Sequence, residues 1–138
     1  MQSEITEKIS SYFNNNSKVA AVYMFGSYAK GKNRKYSDID LGILLKHEYV
    51  CHEEELYKSI LVGLAGFLRK DIHLVFMNNA GEGILLQIFK YGKCIVNNDS
   101  EMLARFKMIR HSMIADFAYY KNMMQKSFIK NMYGGIND

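Results

Sequence analysis

The sequence has no proline, only two cysteines and no apolar run long enough to cross a membrane. A spanning helix needs about 20 consecutive apolar residues, so we expect no membrane segment. Cys51 and Cys94 lie far apart, and no two histidines form an H-x-x-x-H pair, which argues against a disulfide framework and a zinc site. The opening residues, MQSEITEKIS, lack the apolar centre of a signal peptide, and we therefore expect a cytoplasmic protein.

The chain does have a large apolar fraction. Apolar residues make up 49% of its 138 residues, which is enough for one globular domain with a hydrophobic core. No linker, internal repeat or second domain is visible, so we predict a single domain over residues 1–138. The net charge of +4 suits an anionic ligand or partner without selecting one.

Hydrophobic periodicity predicts helices that alternate with short strands. The predicted order is helix, strand, strand, helix, strand, helix, strand, helix. The helices are predicted over residues 3–14, 53–69, 84–92 and 99–128, and the strands over 18–25, 37–45, 71–77 and 93–96. This order is typical of an α/β or α+β fold, in which helices pack on a small mixed sheet.

Two carboxylates are predicted to share one face of the second strand. Alternation in SDIDLGILL directs Asp38 and Asp40 to one side, and Ile39 and Leu41 to the other. Two like charges so close together cost stability unless a cation offsets them. Their oxygen atoms suit Mg²⁺, which takes its other ligands from water and substrate phosphates. A D-x-D pair also occurs by chance in solvated strands, so the pair alone does not establish a metal site.

A Gly-Ser turn follows the first predicted strand. KVAAVYMF is a strand pattern buried on both faces, and it ends abruptly at Gly26 and Ser27. A glycine lets the backbone approach a ligand closely, and the amides of such a turn form an anion site. A phosphate site after one strand and a metal site on the next together suit a metal-bound nucleoside triphosphate.

The segment GSYAKGKNRKYSDID, residues 26–40, resembles the G-S-x(10)-D-x-D signature of the DNA polymerase β-like nucleotidyltransferases. Ala29, Gly31 and Ser37 are further matches, similar to the minimal nucleotidyltransferase branch. The resemblance extends over about residues 18–98, because LLQIFKYGKCIVNND is similar to the family's helix, glycine turn and short strand. It implies the polymerase β-like fold, with a core over residues 1–98 and a long C-terminal helix.

The family has a third carboxylate on a later strand. RKDIHLVFMNNA offers Asp71, the only acidic residue of the third predicted strand. Lys70 precedes it, where the family pattern has an apolar residue, so Asp71 begins its strand. The resemblance implies that Asp38, Asp40 and Asp71 hold two Mg²⁺ ions, and that Asp71 also accepts the proton of the attacking hydroxyl.

The resemblance further implies which residues bind the nucleotide, expected to be ATP. Gly26 and Ser27 would hold its terminal phosphates. Lys30 would stabilise charge on the leaving group, unless it is simply an exposed lysine. These three residues and the carboxylates form the predicted site.

The minimal branch is typically the antitoxin of a toxin–antitoxin pair whose partner is a HEPN-domain ribonuclease. The resemblance thus implies transfer of AMP from ATP to a tyrosine of that toxin. Nucleic acid is not an expected ligand, because the chain has no room for the extra domains with which larger members bind it. Two alternatives remain: transfer to a small hydroxylated molecule such as an aminoglycoside, and a non-catalytic antitoxin that acts by contact alone.

Apolar residues recur at steps of three and four along the last predicted helix. They are Phe106, Ile109, Met113, Phe117, Tyr120, Met124 and Phe128. The first half of this stripe suits packing on the chain's own sheet. The second half outruns so small a domain, and its methionines and aromatics suit a partner surface, through which the chain would form a homo- or hetero-oligomer.

Overall fold

The computed structural model describes residues 2–26 and 38–134. Eight main elements follow one another in the predicted order. They are α1 (Gln2–Phe13), β1 (Val19–Phe25), β2 (Ile39–Leu45), α2 (Glu53–Leu68), β3 (Ile72–Phe76), α3 (Glu82–Tyr91), β4 (Lys93–Asn97) and α4 (Ser100–Gly134). Two short 3-10 helices, His47–His52 and Met77–Asn79, precede α2 and follow β3.

The four strands form one mixed sheet in the order β3-β2-β1-β4. Strand β1 pairs antiparallel with both β2 and β4, and β2 pairs parallel with β3. Strand β1 is therefore an inner strand, and all but its last residue are buried, as its continuous apolar pattern predicts. The α/β fold class with a small mixed sheet is confirmed, and KCIV forms the edge strand that the sequence indicates.

Helices cover both faces of the sheet. Helices α1 and α2 share one hydrophobic core with β1, β2 and β3, built from residues such as Ile9, Leu41 and Leu64. Helix α3 lies on the other face, where a Cβ on Gly42 would approach Ile88 to 3.0 Å. The carboxylates of β2 belong to this second face, because Asp40 and Gly42 are two residues apart on one strand.

Two asparagine side chains add hydrogen bonds near the ends of the strands. Asn78 pairs with both backbone groups of Leu45, accepting from its N–H at 2.9 Å and donating to its carbonyl at 2.8 Å. Asn98 donates to the carbonyls of Phe13 and Val19 at 3.0 and 3.1 Å. These contacts fix the end of β2, and they join the end of β4 to the end of α1 and the start of β1.

The chain divides into two compact units, residues 1–103 and 104–138, and α4 begins in the first. The Asp99 carboxylate caps this helix by accepting from the Met102 N–H at 3.1 Å, and Leu103 is buried. In the second unit no side chain from 104 to 132 is buried. Within the described ranges, no helix combines the length and the hydropathy needed to cross a membrane.

Candidate active site

Asp38 and Asp40 lie at the start of β2, on the face opposite the core. Ile39 and Leu41, which alternate with them, are fully buried among the residues of α1, α2 and β3. The carboxylates therefore point away from that core, as alternation predicts. The Asp40 side chain is only 26% exposed, whereas that of Asp38 is 41% exposed.

Gly26 ends β1 directly beside Asp40. Phe25 and Asp40 are register partners in the β1–β2 pair, so the residue that follows β1 lies beside the carboxylate. Gly26 has φ of +73°, and a Cβ at this position would collide with the Asp40 carboxylate. Both the backbone conformation and the close approach require glycine here.

His73 of β3 contacts both carboxylates. Its Nε2 lies 3.3 Å from Asp38 Oδ2, and its Nδ1 lies 3.3 Å from Asp40 Oδ1. The parallel register explains the contact, because His73 and Asp40 are Cα partners. Motif analysis overlooked this residue. The signal was the alternation of β3, in which His73 stands between Ile72 and Leu74, both buried.

Burial raises the pKa of the Asp40 carboxyl above its ordinary value. The charge and hydrogen bond of His73 oppose this rise, and the charge of Asp38 adds to it. The contact with the imidazole therefore does not fully offset the cost of burying the negative charge of Asp40. A bound cation would stabilise it further.

The other predicted residues are placed less closely. The Asp71 carbonyl accepts a hydrogen bond from the Ile39 N–H at 3.0 Å, so its backbone adjoins the carboxylate-bearing end of β2. Its side chain is exposed, and it has no hydrogen bond or ion pair with the residues that the structure describes. Ser27 and Lys30 lie outside the described residues. The structure thus brings together Gly26, Asp38 and Asp40, and adds His73.

The donor set fits a divalent cation shared with a substrate. Asp38 and Asp40 supply carboxylate oxygens, which Mg²⁺ and Mn²⁺ prefer. Across residues 2–26 and 38–134, no three His, Cys, Asp or Glu side chains already surround a single metal position. Two carboxylates from a strand, completed by phosphate oxygens and water, are the arrangement by which proteins often bind Mg²⁺ with nucleotides.

A comparison with protein-family models matches the part of the chain that contains these residues. Residues 7–101 match the family model described as polymerase beta, nucleotidyltransferase. The chain belongs to the polymerase beta nucleotidyltransferase family. The matched region contains all of the sheet, helices α2 and α3 and the second half of α1, and it includes every residue of the predicted site. A comparison with curated protein sequences finds no match.

Solved structures with this nucleotidyltransferase fold include toxin–antitoxin components. A chain of a toxin–antitoxin complex with AMP-PNP has a TM-score of 0.69 and 22% identity, over 90% of this chain and 98% of that one. A chain of the tri-AMPylated Shewanella oneidensis HEPN toxin in complex with MNT antitoxin has a TM-score of 0.65 and 21% identity, over 94% and 99%. A chain of the MntA–HepT complex has a TM-score of 0.64 and 19% identity, over 92% of this chain and 98% of that one. At these identities the likeness shows the fold.

Proposed function

We propose that this nucleotidyltransferase is an antitoxin that transfers AMP from ATP to a tyrosine of a partner HEPN toxin. The observation that carries the proposal is the pair Asp38 and Asp40 beside Gly26, at adjoining ends of two paired strands. The structural neighbours support it, since one complex contains AMP-PNP and another contains a tri-AMPylated HEPN toxin. Those ligands and modifications belong to the neighbours, and their extension to this chain is our proposal.

The proposed reaction forms one bond and breaks one. The tyrosine oxygen attacks the α-phosphorus of ATP, the bond to the β-phosphate oxygen breaks, and pyrophosphate leaves. The hydroxyl proton passes to Asp71, which adjoins the carboxylate-bearing end of β2. Gly26 and Ser27 bind the terminal phosphates, and Lys30 stabilises charge on the departing pyrophosphate. Mg²⁺ held by Asp38 and Asp40 supplies charge stabilisation when bound.

The exposed apolar residues of α4 suit the partner side of this proposal. A groove on the second unit is lined mainly by apolar side chains, among them Phe117, Tyr120, Met124 and Phe128. Each of these four is more than half exposed. Contiguous apolar surface of this kind marks protein–protein contacts. We assign the groove to the HEPN toxin.

Incubation with labelled ATP, Mg²⁺ and the product of the neighbouring gene, which the proposal expects to be a HEPN toxin, tests the proposal. We expect label on a toxin tyrosine, located by mass spectrometry, and loss of toxin ribonuclease activity. The Asp38→Asn/Asp40→Asn variant should neither label nor silence the toxin. Silencing by this variant would instead favour an antitoxin that acts by contact, and label on an aminoglycoside in place of the toxin would favour the small-molecule alternative.

Asp71→Asn separates nucleotide binding from transfer. Because Asp38 and Asp40 are retained, calorimetry should show ATP binding in Mg²⁺ close to that of the wild type. Transfer should fall roughly 10²-fold or more, as is common when a general base is lost. Near-normal transfer by this variant would show that another group accepts the proton.

A further inference from the structure

His73 is the residue of the site whose role the signature motif leaves unassigned. It lies on β3 directly beside Asp40 in a parallel pair, and neighbouring strands are about 4.8 Å apart. Its neighbours Ile72 and Leu74 are buried in the core, so its ring lies on the same face of the sheet as the carboxylates. The strand therefore holds the imidazole beside both carboxylates.

The contacts of His73 compete with metal binding. Each ring nitrogen lies 3.3 Å from one carboxylate oxygen, and those are oxygens that a cation between Asp38 and Asp40 would take. The ring cannot keep both contacts once a cation is there. Its side chain is 65% exposed, so it can turn without disturbing the core. Its backbone, fixed by pairing with β2, would keep the ring beside the two carboxylates after such a turn.

We propose that His73 is the third protein ligand of the metal held by Asp38 and Asp40, through an imidazole nitrogen. The proposal rests on the metal-dependent function proposed above, and it leaves Asp71 with proton acceptance alone. An imidazole is a softer donor than a carboxylate, so it favours transition metals over Mg²⁺. The site should accordingly bind Mn²⁺ in preference to Mg²⁺ more strongly than a site with three carboxylates.

Pulsed electron paramagnetic resonance of the full chain with Mn²⁺ and ATP tests the assignment without the toxin. We expect a nitrogen coupling to Mn²⁺ that changes when the protein carries ¹⁵N-histidine, which excludes the adenine nitrogens as its source. The coupling should vanish in His73→Gln and His73→Asp. It should persist in His52→Gln, because His52 follows the opposite end of β2. Retained coupling in His73→Gln would overturn the proposal.

The affinity ratio supplies a second readout. In His73→Asp we expect the Mn²⁺ to Mg²⁺ affinity ratio to fall by roughly tenfold or more, a size that altered metal-site contacts commonly have. Wild-type protein that binds Mn²⁺ through its carboxylates without a histidine coupling would show that the ring is displaced, and would overturn the proposal. If toxin labelling nevertheless occurs, the proposed function stands. A histidine coupling without labelling would instead refute the proposed function alone.

Discussion

At the scale of single residues, Gly26 limits what can be changed near the site. A side chain there would require a left-handed backbone, at a cost of about 1–3 kcal/mol, and would also displace the Asp40 carboxylate. Because the same carboxylate is the proposed metal ligand, both folding stability and metal binding require glycine at this position.

Gly26→Ala should lose both thermal stability and Mg²⁺-dependent ATP binding, measured by a melt and by calorimetry. Gly66→Ala is the matched control, because nothing lies within 4 Å of a Cβ at that helical position. The control should be neutral or gain up to about 1 kcal/mol from its higher helix propensity. Unchanged ATP affinity in Gly26→Ala would show that the carboxylate does not need its present position.

Asp40→Asn should lose Mg²⁺-dependent ATP binding and melt at a higher temperature than the wild type in EDTA at neutral pH. The sign follows from the raised pKa of Asp40, since a group that titrates higher in the folded chain costs folding free energy once ionised. The difference should shrink on acidification and disappear well below the ordinary aspartate pKa of about 4, where the carboxyl is neutral in both states. A lower melting temperature for the variant would show that the His73 contact outweighs burial.

At this scale, the position of a site residue could be predicted when it depends only on residues that lie close to it in the sequence. Alternation within one strand was sufficient to place Asp38 and Asp40 on one face, and the end of the apolar run was sufficient to locate Gly26. His73 was missed because its contact depends on the register between β2 and β3, whose contacting residues are more than 30 positions apart. The roles of all the predicted site residues stay predictions: Gly26, Ser27, Lys30, Asp38, Asp40 and Asp71.

At the scale of elements, the type of each helix and strand was easier to predict than the face that a helix turns to the core. All eight main elements were expected, because each carries a clear period or apolar run. The face of α2 that packs on the core was not resolved by the period alone at its end, where Leu68 packs on the core while Phe67 is 51% exposed. Helix α4 reaches Gly134, beyond the predicted residue 128, since no glycine or proline interrupts it earlier.

The groove of α4 can be tested with a pair of neighbouring methionines. Met124 lines the groove and Met123 does not, although both side chains are exposed. Met124→Lys should weaken capture of the HEPN toxin by at least tenfold, about 1.4 kcal/mol, because a charge replaces an apolar contact. Met123→Lys should bind nearly as well as the wild type. Equal effects of the two substitutions would mean that the groove is not the contact surface.

At the scale of the whole molecule, the division at residues 103 and 104 separates the site from the exposed apolar face. The sheet, its three packing helices and the carboxylates all belong to the first unit. Its core includes Leu103, and no side chain from 104 to 132 is buried. The proposed catalytic site and the proposed partner surface therefore belong to different units of the chain.

A chain that ends at Ala118 should keep the wild-type melting temperature and Mg²⁺-dependent ATP binding, because no side chain from 119 to 132 is buried. It should no longer capture the toxin in a pull-down, since it lacks Tyr120, Met124 and Phe128. A much lower melting temperature would show that the end of α4 packs on the core. Undiminished capture with an unchanged melting temperature would show that this segment does not contact the toxin.

The position of β1 inside the sheet has a consequence for biosynthesis. Its partner β2 follows closely in the chain, but Ala21 pairs with Asn97 of β4, which the ribosome adds much later. At a synthesis rate of roughly 5–20 residues per second, the apolar β1 waits for seconds with one edge unpaired. During that interval the nascent chain is open to pairing with other chains. Translation that stops before β4 would therefore leave an aggregation-prone fragment. The hazard ends when β4 pairs with β1 and completes the sheet.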